Sequence, residues 1–294
     1  MQRNYTLSAS WQSHSLSASD GTKIKAARFA NHNQESPDTQ YVLFVPGRSE
    51  FIEKYNFFAE DLSQGKSLVF VTYDHRGQGG SGGMRSHIED FSLYMQDLLL
   101  VKNALIGQQE FVLLSHSMGA LISISCIQSG LLQPKKALLS SPYIGLSKFM
   151  YPSWLAVSMT WFMCFLGKGH LRAPAKINLY EGNKDTSSRE MYERYLNSPY
   201  KTIAPTFTWS KEIIKAQAKL MVSAAKYNIP TLVFIAEDER VVDKGAILQW
   251  IQCVKKSDLF RVEHFPTSRH EILCEVEETY QKALTKIKEL VYQD

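Results

Sequence analysis

Phe111-Val112-Leu113-Leu114-Ser115-His116-Ser117-Met118-Gly119-Ala120 is the stretch whose reading decides the fold. Residues 111–114 are apolar throughout, as in a strand buried on both faces, and 118–130 read as an apolar helix. The junction Ser115-His116-Ser117-Met118-Gly119 has the G-x-S-x-G spacing of a nucleophile elbow, with Ser115 in place of the first glycine. Such a turn exposes the central hydroxyl, and the small residues flanking it let strand and helix approach closely. Ser117 is therefore the candidate nucleophile.

The same alternation extends outward from this junction. Strands are predicted at 41–45, 68–73, 136–140, 231–235 and 260–264, the last shorter and more polar, as near a sheet edge. Segments 14–18 and 24–29 flank the turn pair Asp20-Gly21 and read as a hairpin. Helical patterns fall at 52–63, 88–105, 118–130, 243–254 and 271–291. Apolar strands alternating with helices imply an α/β protein with a mostly parallel central sheet flanked by helices. From 145 to 229 only helical patterns occur: 150–166, 188–196 and 209–225. The predicted organisation is a core of 1–144 and 230–294, with 145–229 as a helical cap over the carboxyl ends of the strands, where ligands bind in such sheets.

A serine needs a base and an orienting acid. His270 follows the last predicted strand and precedes the final helix, and the order Ser…acid…His makes it the candidate base. His75 and His116 lie upstream, in the wrong order, and read as structural. The acid comes from Ala236-Glu237-Asp238-Glu239-Arg240-Val241-Val242-Asp243. A small residue, two variable ones, the acid and an apolar pair is the usual pattern, and counting from Ala236 selects Glu239. Asp238 is the alternative, and Asp243 reads as a helix cap. An oxyanion hole needs two backbone N–H groups: Met118, after the nucleophile, and Arg48, after Pro46-Gly47.

Composition removes other classes. The chain has 294 residues, 44% hydrophobic and 21% charged, which excludes wholesale disorder. The net charge of +4 is not concentrated in one block, so nucleic-acid binding gets no support. The four cysteines form no CxxC pair, and no GxGxxG or GxxxxGK[ST] fingerprint occurs, so neither a metal nor a cofactor is implied. Scattered thiols and an N-terminus without an apolar leader read as a cytoplasmic protein. The apolar run 150–166 is short of the ~20 residues of a spanning helix. With Trp154, Trp161 and Phe165 on one face and Leu155, Met159 and Phe162 on another, it reads as core, acyl-pocket wall or peripheral lipid contact.

With these motifs in place, the sequence resembles the α/β-hydrolase superfamily, in its monoacylglycerol lipase and PldB-type lysophospholipase branch. Pro46-Gly47-Arg48-Ser49-Glu50 with Lys54-Tyr55 is similar to that branch's oxyanion segment. Asp74-His75-Arg76-Gly77-Gln78-Gly79-Gly80-Ser81 resembles its D-H-R-G-x-G-x-S loop, and His116-Ser117-Met118-Gly119 its elbow. Glu239-Arg240-Val241-Val242-Asp243 and His270-Glu271-Ile272-Leu273 look like its acid and histidine segments. Two positions depart from it: Pro46 stands where monoacylglycerol lipases usually have His, and Glu239 where Asp is usual. The resemblance implies an α/β-hydrolase fold and a serine hydrolase cleaving lysophospholipid or monoacylglycerol esters through an acyl-enzyme. Trp154, Trp161 and Phe162 would line the acyl path. A small-ester carboxylesterase and a non-catalytic binding protein of this fold are the rival readings.

Overall fold

The structure, a computed structural model, describes residues 5–31, 36–145, 153–172, 182–200 and 203–293. The chain forms β1 (Trp11–Ser17), β2 (Lys23–Ala30), β3 (Gln40–Val45), α1 (Asn56–Ser63), β4 (Leu68–Tyr73), α2 (Ser92–Leu105), β5 (Val112–His116), α3 (Met118–Gln128) and β6 (Lys136–Ser140). It continues with α4 (Ser153–Phe165), α5 (Arg189–Leu196), α6 (Phe207–Val222), β7 (Thr231–Ala236), α7 (Lys244–Cys253), β8 (Phe260–Phe265) and α8 (Glu277–Tyr292). Among the described residues the strands make one sheet of order β1-β2-β4-β3-β5-β6-β7-β8. β2 is antiparallel to both neighbours, and every pair from β4 to β8 is parallel.

Period-two alternation sorts the strand residues between two cores. Leu43, Val45, Val71, Leu113, Leu139 and Val233 face one side, under α2, α3, α6 and α7. Val42, Phe44, Phe70, Leu114, Leu138 and Phe234 face the other, under α1 and α8. α8 meets that face with Tyr280, Ala283, Leu284, Ile287 and Val291, an i, i+3/i+4 stripe. Burial on both faces explains why these strands are apolar throughout. β8, at the edge, carries Arg261, Glu263 and His264 instead.

Several predicted helices differ in detail. The 52–63 segment is a 3₁₀ turn at Ile52–Tyr55 followed by α1. The 271–291 segment is a 3₁₀ turn at Ile272–Cys274, then α8. α2 begins at Ser92, whose N–H is taken by the Asp90 carboxylate at 2.7 Å. The helices between β6 and β7 are not alike. α6 is built into the core: Trp209, Ile213, Ala216 and Leu220 are buried with the residues of α3. α4 packs on α6 and leaves Leu155, Met159, Trp161, Phe162 and Phe165 exposed. Residues 150–152 of the apolar run lie outside the described residues.

The chain leaves β3 toward β4 on one side and later returns to β5 on the other, so β3 and β5 flank a topological switch point. Val45 and Ser115 are register partners at the carboxyl end of this pair. The loop after β3 and the turn after β5 therefore emerge side by side. Gly119 closes the gap: a Cβ there would stand 2.2 Å from the Val45 carbonyl oxygen and 2.4 Å from that of Pro46. We predict that Gly119→Ala pushes the Pro46–Arg48 loop away and destabilises the fold by ~1–3 kcal/mol, as overpacking does. Urea melts and ester turnover test this. Wild-type stability and turnover together would mean that the loop gives way freely.

Candidate active site

Ser117 sits between β5 and α3 with φ 51° and ψ −116°, a backbone region that an L-residue occupies only when its surroundings impose it. Its N–H donates to Ser140 O at 3.0 Å, and its carbonyl accepts from Tyr143 N at 3.1 Å. Tyr143 is in turn held by Gln217 of α6, whose Nε2 donates to the Tyr143 carbonyl at 3.0 Å. β6 and α6 thus fix the strained residue from two sides.

The Ser117 hydroxyl lies 2.9 Å from His270 Nε2. His270 Nδ1 lies 2.9 Å from Glu239 Oε2 and 3.1 Å from Oε1. A carboxylate only accepts, so Nδ1–H donates to Glu239 and Nε2 is left to take the serine proton. Glu239 also receives the N–H groups of Val241 at 2.8 Å and Val242 at 3.2 Å, which fixes its position. Burial opposes the charge on both partners. Their mutual attraction outweighs it: His270 titrates above its ordinary value and Glu239 below its own.

The other carboxylates of the loop are occupied elsewhere. Asp238 is paired with Arg240 at 2.6 Å and with Arg269 at 3.4 Å. Asp243 caps α7 through Gly245 N at 2.8 Å, and Glu237 binds Lys244 at 2.7 Å. Of the four, the structure brings only Glu239 to His270.

The loop after β3 is held on three atoms. His75 Nε2 lies 2.7 Å from the Pro46 carbonyl; Gly47 N–H donates to Glu50 and Ser49 N–H to Gln78 Oε1. With its neighbours so occupied, the Arg48 N–H has no acceptor among the described residues. The Met118 N–H, at the amino end of α3, has none either. Burial lowers the pKa of both His75 and His116 to about 4, so neither carries charge near neutrality. His75 supports the loop, and the His116 ring lies 4.8 Å from that of His270.

Sequence reasoning missed the supports beneath this site. Buried Glu50 accepts from Lys54 Nζ at 2.8 Å and from Tyr55 OH at 2.5 Å, as well as from Gly47 N. Lys54 pairs at 2.7 Å with Glu271, the residue after His270. Burial works against the Glu50 charge, but Lys54 holds its carboxyl down at about 2; burial pushes that of Glu271 up to about 7. Glu275 anchors the other side of the histidine loop, taking Arg269 N at 2.8 Å and Ser187 N at 2.9 Å. The only signal for these groups in the sequence was the Glu50, Lys54-Tyr55 spacing. Trp161 and Phe162 are 47% and 57% exposed on α4, and the ring contact of Trp161 is with Lys215 of α6, 5.9 Å from its Nζ. Among the described residues neither joins the Ser117–His270–Glu239 relay, and the Trp154 side chain lies outside them. No group of three or more His, Cys, Asp or Glu side chains suited to a metal occurs among the described residues.

A mostly parallel sheet that presents serine, carboxylate and histidine in this order at its carboxyl ends defines an α/β-hydrolase. The chain belongs to the family described as "Serine aminopeptidase, S33", whose model matches residues 36–277. It is 30% identical over 262 residues to lysophospholipase L2 of Escherichia coli K12, covering 79% of this chain and 73% of that protein. It is 28% identical over 273 residues to a probable lysophospholipase L2 of Haemophilus influenzae, covering 86% and 84%. Its fold matches a soluble variant of monoglyceride lipase from Saccharomyces cerevisiae, solved with a substrate analogue, with a TM-score of 0.82 at 17% identity over 97% of this chain and 95% of that one.

Two predictions follow from the geometry. Glu239→Gln should lower kcat by about 10²–10⁴-fold, because it favours the wrong imidazole tautomer, whereas Asp238→Asn should change it by less than about threefold, the scale of an exposed ion pair. Parallel assays of one ester, with circular dichroism as the folding check, decide between them. In the wild type, kcat/KM should rise with pH as His270 loses its proton, with a midpoint above ~6.5, since Glu239 favours the protonated ring. In Glu239→Gln that midpoint should fall. A flat profile between pH 5 and 9 would exclude His270 as the base.

Proposed function

We propose that the protein is a serine hydrolase cleaving carboxylic esters of lipid-like substrates, lysophospholipids or monoacylglycerols, through an acyl-enzyme. The relay from Ser117 through His270 to Glu239 carries this reading, and the names of the relatives supply the substrate class. Ser117 Oγ attacks the acyl carbonyl as His270 Nε2 takes its proton. Glu239 stabilises the imidazolium, and the N–H groups of Arg48 and Met118 receive the negative oxygen. His270 then returns the proton to the leaving glycerol oxygen. Water, activated by the same imidazole, releases the fatty acid. No cofactor takes part in this sequence.

We assign residues 1–144 and 230–294 to the hydrolase core and 145–229 to the cap region, within which α6 also braces the core. The exposed apolar side chains of α4 suit peripheral contact with lipid aggregates rather than a spanning role. No helix among the described residues is long and apolar enough to cross a membrane.

The test is a panel of lysophospholipid, monoacylglycerol, short nitrophenyl ester and aminoacyl amide, with a fluorophosphonate probe. We expect ester cleavage and labelling at Ser117. Ser117→Ala should remove both, with activity down by roughly three to six orders of magnitude. Amide cleavage alone, or labelling of another serine, would overturn the assignment. Trp161→Ser combined with Phe162→Ser should slow hydrolysis of aggregated long-chain esters about tenfold, the effect of ~1.4 kcal/mol of lost apolar contact, while a soluble acetate ester is cleaved within about twofold of wild type. Equal losses on both substrates would exclude lipid contact through α4.

A further inference from the structure

A shallow open cleft adjoins the oxyanion loop, lined by Ser49, Gln78, Arg85, Ser86, Tyr200 and Ile203 among others. Ser49 directly follows Arg48, so the wall of the cleft starts one residue from the proposed oxyanion donor. The Arg48 side chain reaches the same rim: Nη1 donates to the Ile203 carbonyl at 3.3 Å, and the guanidinium carbon lies 5.6 Å from the Trp209 ring.

The charges here are unbalanced. Arg76, Arg189, Arg240, Arg261 and Arg269 each pair with a carboxylate. Arg48, Arg85 and Arg172 have no such partner among the described residues; Arg172 is taken up by the Ala204 and Arg85 carbonyls, whereas Arg48 and Arg85 adjoin the cleft. The acids behind the cleft are already engaged. Asp74 receives Gly80 N at 2.7 Å and Ile52 N at 2.8 Å, and Lys25 lies between it and Glu53. Glu89 binds His87. The backbone at 85–86 is pinned by Arg172 and by Thr206 N, which donates to Ser86 O at 3.1 Å.

Resting on the ester-hydrolase reading above, we infer that this cleft is a phosphate subsite, in which Arg48 and Arg85 hold the head-group phosphate of an acylglycerol phosphate while its ester carbonyl occupies the oxyanion hole. Neither guanidinium has a carboxylate counter-ion, and a phosphate both supplies the opposite charge and matches the planar donors. Ser49, Ser86 and Tyr200, residues able to donate to a phosphate, line the same space. A neutral monoacylglycerol has nothing to neutralise either charge.

The test compares a lysophosphatidate with a monoacylglycerol of the same acyl chain, in wild type, Arg85→Gln and Arg48→Gln; the last keeps its backbone N–H. The ratio of kcat/KM for the phosphate ester over the neutral ester should fall at least tenfold in each variant. Independently, glycerol 3-phosphate should inhibit cleavage of a short acetate ester by wild type, and Arg85→Gln should raise its inhibition constant at least tenfold. An unchanged ratio in the folded variants overturns the subsite while leaving the ester hydrolase intact. Inorganic phosphate inhibiting as strongly as glycerol 3-phosphate overturns the head-group assignment in favour of a free-anion site. If glycerol 3-phosphate inhibits and Arg85→Gln relieves it, yet neither long-chain ester is cleaved, the subsite stands and the lipid-ester reading fails.

Discussion

Lys54 places one ammonium between two buried carboxylates, Glu50 at 2.8 Å and Glu271 at 2.7 Å. Glu50 holds the N–H of Gly47 in the loop after β3, and Glu271 directly follows His270. Two parts of the site from opposite ends of the chain are thus tied through one cation. Burying these charges is unfavourable unless each is paired, so removing Lys54 would leave both carboxyls without their cation. The bridge fixes where the histidine loop lies relative to the oxyanion loop. It also keeps one carboxyl that titrates near neutrality beside the base.

Glu239 shows how a longer acid can be accommodated. The N–H groups of Val241 and Val242 anchor its carboxylate at the end of the longer side chain. So anchored, the carboxylate meets His270 Nδ1 at hydrogen-bond distance. Asp238 has the shorter side chain, but its ion pairs with Arg240 and Arg269 commit it elsewhere.

The strands were legible because burial on both faces makes them apolar throughout, and the junction at Ser117 because a sharp turn demands small residues. Interruptions inside helices were not legible. Residues 52–63 have a continuous helical pattern, yet Ile52 N is drawn to Asp74 and the segment starts as a 3₁₀ turn. Ser117, His270 and Glu239 could be put forward from spacing and chain order. Glu275 could not, and Glu50 and Lys54 stood out only through the resemblance of their segment, since a charged residue reads as surface unless its distant partner is known. The apolar pattern of α4 left its surroundings open for the same reason: periodicity describes a face and says nothing of what lies against it.

The sheet order has a consequence for how the protein becomes active during folding. Ser117 and the loop after β3 meet through the β3–β5 pair, Val42 with Val112, whereas Glu239 and His270 follow β7 and β8, and β7 meets β6 across a comparable span, Ala137 with Thr231. Neither pairing is local, and closing such loops is slow relative to local pairing. Serine, base and acid meet only when every strand from β3 to β8 is in register, so hydrolytic activity reports the integrity of the whole sheet rather than of any one part of it.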